Sequence, residues 1–149
     1  MLNYNGNLWD SASFKISPQN RAFRYGDGLF DTVKVVNKRL VFWEDHYFRL
    51  MASMRMLRME IPMEFTLEFL ESEILKTVDV LDSSEIYRVR LSISRKEGGL
   101  YTPDTNQIDY LIEVTNDIYI AKEIYKVDLF KDFYNYSGLL STLKTNNRI

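Results

Sequence analysis

Along the chain the spacing of apolar positions shifts between the period of a strand and that of a helix. Short extended runs flank Asn5-Gly6 in "MLNYNGNLW", the signal of a two-residue hairpin. "SPQNRAFRYGDGLF" is polar and glycine-containing, and reads as a loop that bends at Gly26-Asp27-Gly28. "LFDTVKVVNKRLVFW" predicts a strand, a turn near Asn37-Lys38 and a second strand. From Glu44 the period becomes helical. Tyr47, Leu50, Met51, Met54 and Leu57 share one face, and Pro62 ends the run. Thr66 then caps a second helix that turns Leu67, Leu70, Ile74, Val78 and Leu81 inward. "EIYRVRLSISR" alternates, with Tyr87, Val89, Leu91 and Ile93 on one face and Arg88, Arg90, Ser92 and Ser94 on the other. "KEGGLYTPDTN" is a loop, and "QIDYLIEVTN" and "YKVDLFKD" read as two more strands. Ser141 or Thr142 offers a cap to a further helix near the end.

Strands that come in hairpin pairs, with two consecutive helices between them, predict an α+β fold. Its sheet is mainly antiparallel and its helices lie on one face. A length of 149 residues suits one domain, and 46% hydrophobic residues suffice for a buried core. Nineteen basic residues against 21 acidic give a net charge of −2, and no basic patch interleaves with the aromatics. Nucleic acid and anionic membrane are therefore not expected partners. No apolar run is long enough to span a bilayer, and "MLNYNGNLWD" has no signal-peptide pattern. The chain has no cysteine, which removes disulfides, thiolate catalysis and cysteine-bound zinc and is compatible with the expected cytoplasmic location.

The polar residues taken singly carry little chemistry. His46 is the only histidine, so a two-histidine metal site is out of reach, and Glu44 and Asp45 beside it suggest a helix start. "YGDG" is too short for a phosphate-binding loop, and a tight turn accounts for its glycines. Arg49 flanks the apolar stripe of the first helix. It is either a surface arginine whose stem covers the core edge or a fork for phosphate or carboxylate. Arg90 lies on a strand face that is either solvated or lines a polar pocket. Lys144, in "SGLLSTLKTNNRI", is by residue type an ordinary solvated lysine, although its neighbours are apolar and small rather than charged.

Together these stretches resemble the class IV family of pyridoxal-phosphate (PLP) enzymes. That family includes branched-chain and D-amino-acid aminotransferases and 4-amino-4-deoxychorismate lyase. "YGDGLFDT" is similar to the family's turn-strand, "EDHYFRL" to its E-x-H-x-x-R-L helix start, and "LKTNN" to its lysine segment. "SRKEGGLYTP" resembles the glycine-rich loop of the lyase branch. The resemblance runs from about Asn3 to the end, with its best stretches far apart and in the family's order.

The resemblance implies the N-terminal domain of the D-amino-acid aminotransferase-like fold over residues 1–135. A segment at 136–149 would carry the lysine, and the family's C-terminal domain would be absent. It implies that Lys144 holds PLP as a Schiff base and that Arg49 binds the cofactor phosphate. Tyr25, Phe30 and Arg90 fall at positions near the substrate pocket. Asp31 stands where many members have glutamate. The implied activity is transfer of an amino group between an amino acid and a 2-keto acid. One alternative is elimination of pyruvate from aminodeoxychorismate to leave p-aminobenzoate; another is a non-catalytic dimerising domain. The implied partners are a small amino-acid or aminodeoxychorismate-like substrate, a second copy of the chain in a homodimer, and the C-terminal domain that the family's sites share. No metal is expected.

Overall fold

The computed structural model describes residues 1–81, 84–117, 122–132, 134 and 137–147. Among them, six strands form one antiparallel sheet in the order β2-β1-β6-β5-β3-β4. The strands are β1 (Leu2–Tyr4), β2 (Asn7–Trp9), β3 (Gly28–Val36), β4 (Arg39–Leu40), β5 (Ile86–Arg95) and β6 (Ile108–Asn116). Three helices accompany them, α1 (Arg21–Tyr25), α2 (Trp43–Met56) and α3 (Leu67–Val78). The fold is α+β, as expected.

The long strands put Leu29, Val33 and Val35 of β3, Val89, Leu91 and Ile93 of β5, and Ile112 and Val114 of β6 on one buried face. Strand alternation creates that face, and the apolar stripes of α2 and α3 cover it. Leu50, Met51 and Met54 of α2 and Leu70, Ile74 and Val78 of α3 are buried there. Thr66 caps α3, its hydroxyl accepting from the Phe69 N–H at 3.1 Å.

Three expectations are corrected. The stretch read as a loop before Gly26 contains α1, capped by Asn20, whose side-chain oxygen accepts from the Phe23 N–H at 3.1 Å. A five-residue helix is too short to display a periodic face. It packs on the sheet's other face, where its Ala22 shares a cavity with Ser92 and Ser94, while the two expected helices, α2 and α3, share the core face. "YKVDLFKD" at 125–132 carries no strand. Alternation needs a free edge to pair with, and β6 already lies between β1 and β5. No helix follows Ser141 or Thr142 among the described residues: the chain turns, with the Ser141 hydroxyl donating to the Gly138 carbonyl at 2.7 Å, and then extends to bridge Thr145 to Leu29. The expected domain boundary at 135 and 136 lies outside the described residues.

Candidate functional site

β3 is covered along its outer edge in two pieces. Its far end pairs with β4, at Val35 and Val36. Its near end takes up the lysine segment. The Phe30 N–H donates to the Lys144 carbonyl at 2.9 Å, and the Asn146 N–H donates to the Gly28 carbonyl at 3.0 Å. Leu29 and Thr145 form an antiparallel bridge between these two bonds. The main chain thus holds Lys144 against β3, although 113 positions separate it from Asp31.

Two glycines allow the approach. A Cβ at Gly28 would stand 2.7 Å from Asn146 Nδ2 and 2.9 Å from the Ile93 carbonyl oxygen. Gly26 ends α1 in the left-handed region at φ +65, and a Cβ there would stand 2.7 Å from that of Asn147.

Asp31 is the centre of the cluster. It shares the core-facing side of β3 with Leu29 and Val33, and its side chain is 3% exposed. A carboxylate at such a position needs charged and hydrogen-bonding partners. Arg49 supplies a fork, with Nε to Oδ2 at 3.0 Å and Nη2 to Oδ2 and Oδ1 at 2.8 and 2.9 Å. His46, one helical turn before Arg49, brings Nδ1 to within 2.9 Å of Oδ1. The Thr32 N–H donates to Oδ1 at 2.7 Å. Lys144 Nζ lies 3.3 Å from the same oxygen. Arg49 Nη2 also lies 2.8 Å from His46 Nδ1, but it already has the carboxylate as acceptor. The tautomer that satisfies Asp31 carries its proton on Nδ1. Burial pushes the Asp31 carboxyl up. Hydrogen bonds from His46, Arg49 and Thr32 and the charge of Lys144 outweigh it and hold the carboxyl below its ordinary value.

The remaining expected residues fall into two other places. Phe30 points to the opposite face of β3 from Asp31, and the Arg90 guanidinium sits 3.9 Å from the centre of its ring. Arg90 also donates to the Ser92 hydroxyl at 3.2 Å. With Ser92, Ser94, Phe14, Phe23 and Asn146 it lines a cavity of about 750 Å³ between the sheet and the segment before α1. Tyr25 sits in α1, its ring 5.8 Å from that of Tyr101 and beneath the Arg21 guanidinium. The structure brings Lys144 and Arg49 together; it does not bring Tyr25, Phe30 or Arg90 to them by side-chain contact among the described residues. Sequence reasoning left Asp31 without a role and His46 as a helix-start residue. Asp31's place in the buried register of β3 and the three-residue step from His46 to Arg49 were the signals for them.

Residues 28–149 match the model of the family described as amino-transferase class IV. The chain belongs to the class IV aminotransferase family. Its fold is that of solved class IV enzymes. The branched-chain aminotransferase of the thermophilic archaeon Thermoproteus uzoniensis superposes with a TM-score of 0.65 at 20% identity, over 77% of this chain and 40% of that one. The branched-chain amino acid aminotransferase of Thermobaculum terrenum, solved in its PLP form, gives 0.65 at 16% identity, over 79% and 40%. The 4-amino-4-deoxychorismate lyase of Pseudomonas aeruginosa gives 0.61 at 23% identity, over 78% and 40%. This class IV chain therefore spans about 40% of the length of those enzymes. Among the described residues, no helix is long and apolar enough to cross a membrane, and no group of acidic or histidine side chains is arranged to hold a metal.

The donor set suits PLP. Arg49 is 41% exposed in its side chain, and its Nη1 makes no hydrogen bond among the described residues, so one arm of the fork is open to an anion. The Lys144 side chain is 33% exposed, so it is not enclosed by the described residues.

Proposed function

We propose that this class IV chain holds PLP through Arg49 and Lys144. We further propose that it serves transfer of an amino group from an amino acid to a 2-keto acid. The observation that carries the reading is the convergence of Lys144 and Arg49 on one buried carboxylate, within a family whose solved members include a PLP-bound aminotransferase. When bound, PLP supplies a carbonyl that an amine can attack and a ring that takes up electrons.

The chain's own residues would act as follows. The open arm of Arg49 binds the phosphate, while its Nε and Nη2 stay on Asp31 and fix the fork. The main-chain bonds of 144–146 hold the Lys144 amine at the edge of β3. In its neutral form that amine is the nucleophile that meets the aldehyde, and afterwards the base that takes the proton from the substrate Cα. Arg90, with apolar Phe14 and Phe23 on the cavity wall, suits a substrate carboxylate beside an apolar side chain. Residues 1–135 would be one domain of the enzyme and 136–149 the connection to a second, which would supply the rest of the pocket. Pairing of two copies as a homodimer and a cytoplasmic setting belong to the same proposal.

Trapping tests this directly. The chain is mixed with PLP, reduced with borohydride and digested. The pyridoxyl mass is expected on Lys144, and is expected to be lost in Lys144→Ala. A label spread evenly over the exposed lysines would sink the assignment. If Lys144 is labelled, a keto acid formed from an amino donor supports transamination. Pyruvate and p-aminobenzoate formed from aminodeoxychorismate would replace it with the lyase reaction.

A further inference from the structure

Asp31 Oδ1 is overcrowded. An sp² carboxylate oxygen accommodates about two good hydrogen bonds. Here four donors reach it: the Thr32 N–H at 2.7 Å, His46 Nδ1 and Arg49 Nη2 at 2.9 Å, and Lys144 Nζ at 3.3 Å. Lys144 is the most distant of the four. Oδ2 does not relieve the crowding, because Arg49 fills it twice, at 2.8 and 3.0 Å. The groups that meet Asp31 are His46 and Arg49 of α2 and Lys144 of the edge segment, and its cross-strand neighbour on β5 is the apolar Leu91.

We propose that Arg49 and His46 keep Asp31 from capturing Lys144: by filling the carboxylate they leave the amine loosely held and free to react. Arg49 then has a second task, distinct from binding an anion, and Asp31 is a positioning residue that sets how available the amine is. The physics is competition for one acceptor. A carboxylate beside an amine favours the ammonium form, which is not a nucleophile. Donors that already satisfy the carboxylate reduce that pull. The bidentate fork of Arg49 is suited to this, because it occupies both oxygens at once and a lysine ammonium would not. The significance of the amine rests on the proposed function; the geometry of the competition does not.

The test uses the 149-residue chain without cofactor. Lys144 is labelled with limiting acetic anhydride over a pH series, and its rate is taken relative to the exposed Lys126 in the same digest. At about pH 8, Arg49→Gln is expected to slow Lys144 by about threefold to tenfold and to displace its rate–pH curve upward. Arg49→Lys keeps the charge but not the fork, and is expected to be slower than wild type as well. Asp31→Asn is expected to be faster. Displacement of the curve distinguishes competition from a mere change in access, which would scale the rate at every pH. Wild-type rates in Arg49→Gln would overturn the proposal. So would a wild-type rate in Arg49→Lys beside a slow Arg49→Gln, since charge alone would then explain the effect. Should Asp31→Asn not fold, the two Arg49 variants decide. Failure of PLP trapping at Lys144 would leave this order of rates untouched, so the two readings fail separately.

Discussion

Asp31 links the stability of the chain to the layout of its cluster. Its folded-state carboxyl titrates below its unfolded value, so the contribution is present above the unfolded value of about 4 and is lost as pH falls through the lower folded value. A series of urea midpoints should therefore decline below about pH 4, and Asp31→Asn should flatten part of that decline. The same variant should cost about 2 kcal/mol at neutral pH, because Arg49 and Lys144 lose the negative charge and the cluster loses one of its two acceptor oxygens, with Arg49 discounted for its exposure. Arg49 and Lys144 stand out in the chain because each sits inside a short motif. Their common partner was legible only in part: alternation with Leu29, Val33 and Val35 sets Asp31 on the apolar face, but the donors that meet it come from α2 and the lysine segment, which only the fold brings there.

The elements were legible where they are long. α2, α3, β5 and β6 repeat their apolar spacing often enough to fix both period and face. α1 is one turn, and only its ends announce it, Asn20 before it and Gly26 after it. The start of α2 holds a strained residue. Phe42 occupies its N-cap at φ 53, a left-handed conformation that a phenylalanine rarely adopts, and its side chain makes no capping bond. Asparagine tolerates that region and can cap. Phe42→Asn should therefore stabilise the chain by about 1 kcal/mol, read as a higher urea midpoint at unchanged slope. A lower midpoint would mean that the exposed ring contributes more than the strain removes.

Across the whole molecule, a second buried ionic group ties distant parts together. Asp27 accepts from Arg21 Nε at 2.8 Å and Arg95 Nε at 3.1 Å, and both arginine side chains are nearly fully buried. Arg21 also donates to the carbonyls of Gly98 and Leu100 at 2.8 Å, while Arg95 donates to the Leu57 carbonyl at 2.8 Å and to Asn106. One aspartate thus joins α1, the 98–101 loop and the end of α2. Asp27→Ala would leave two buried guanidinium groups with carbonyl acceptors but no counter-charge, and should cost about 3 kcal/mol or more by denaturant unfolding. An effect below about 1 kcal/mol would show that water takes its place. None of this was visible in sequence, because these partners are brought together only by the folded sheet.

The lysine segment has a consequence for association as well as for chemistry. A β-strand with an uncovered edge offers its N–H and C=O groups to any other extended chain. Without residues 144–146, the Gly28–Phe30 end of β3 would be such an edge. The stretch that carries the amine therefore also acts as a gatekeeper against aggregation. Loosening it to gain access to the lysine would expose the chain to edge-to-edge pairing with its own copies.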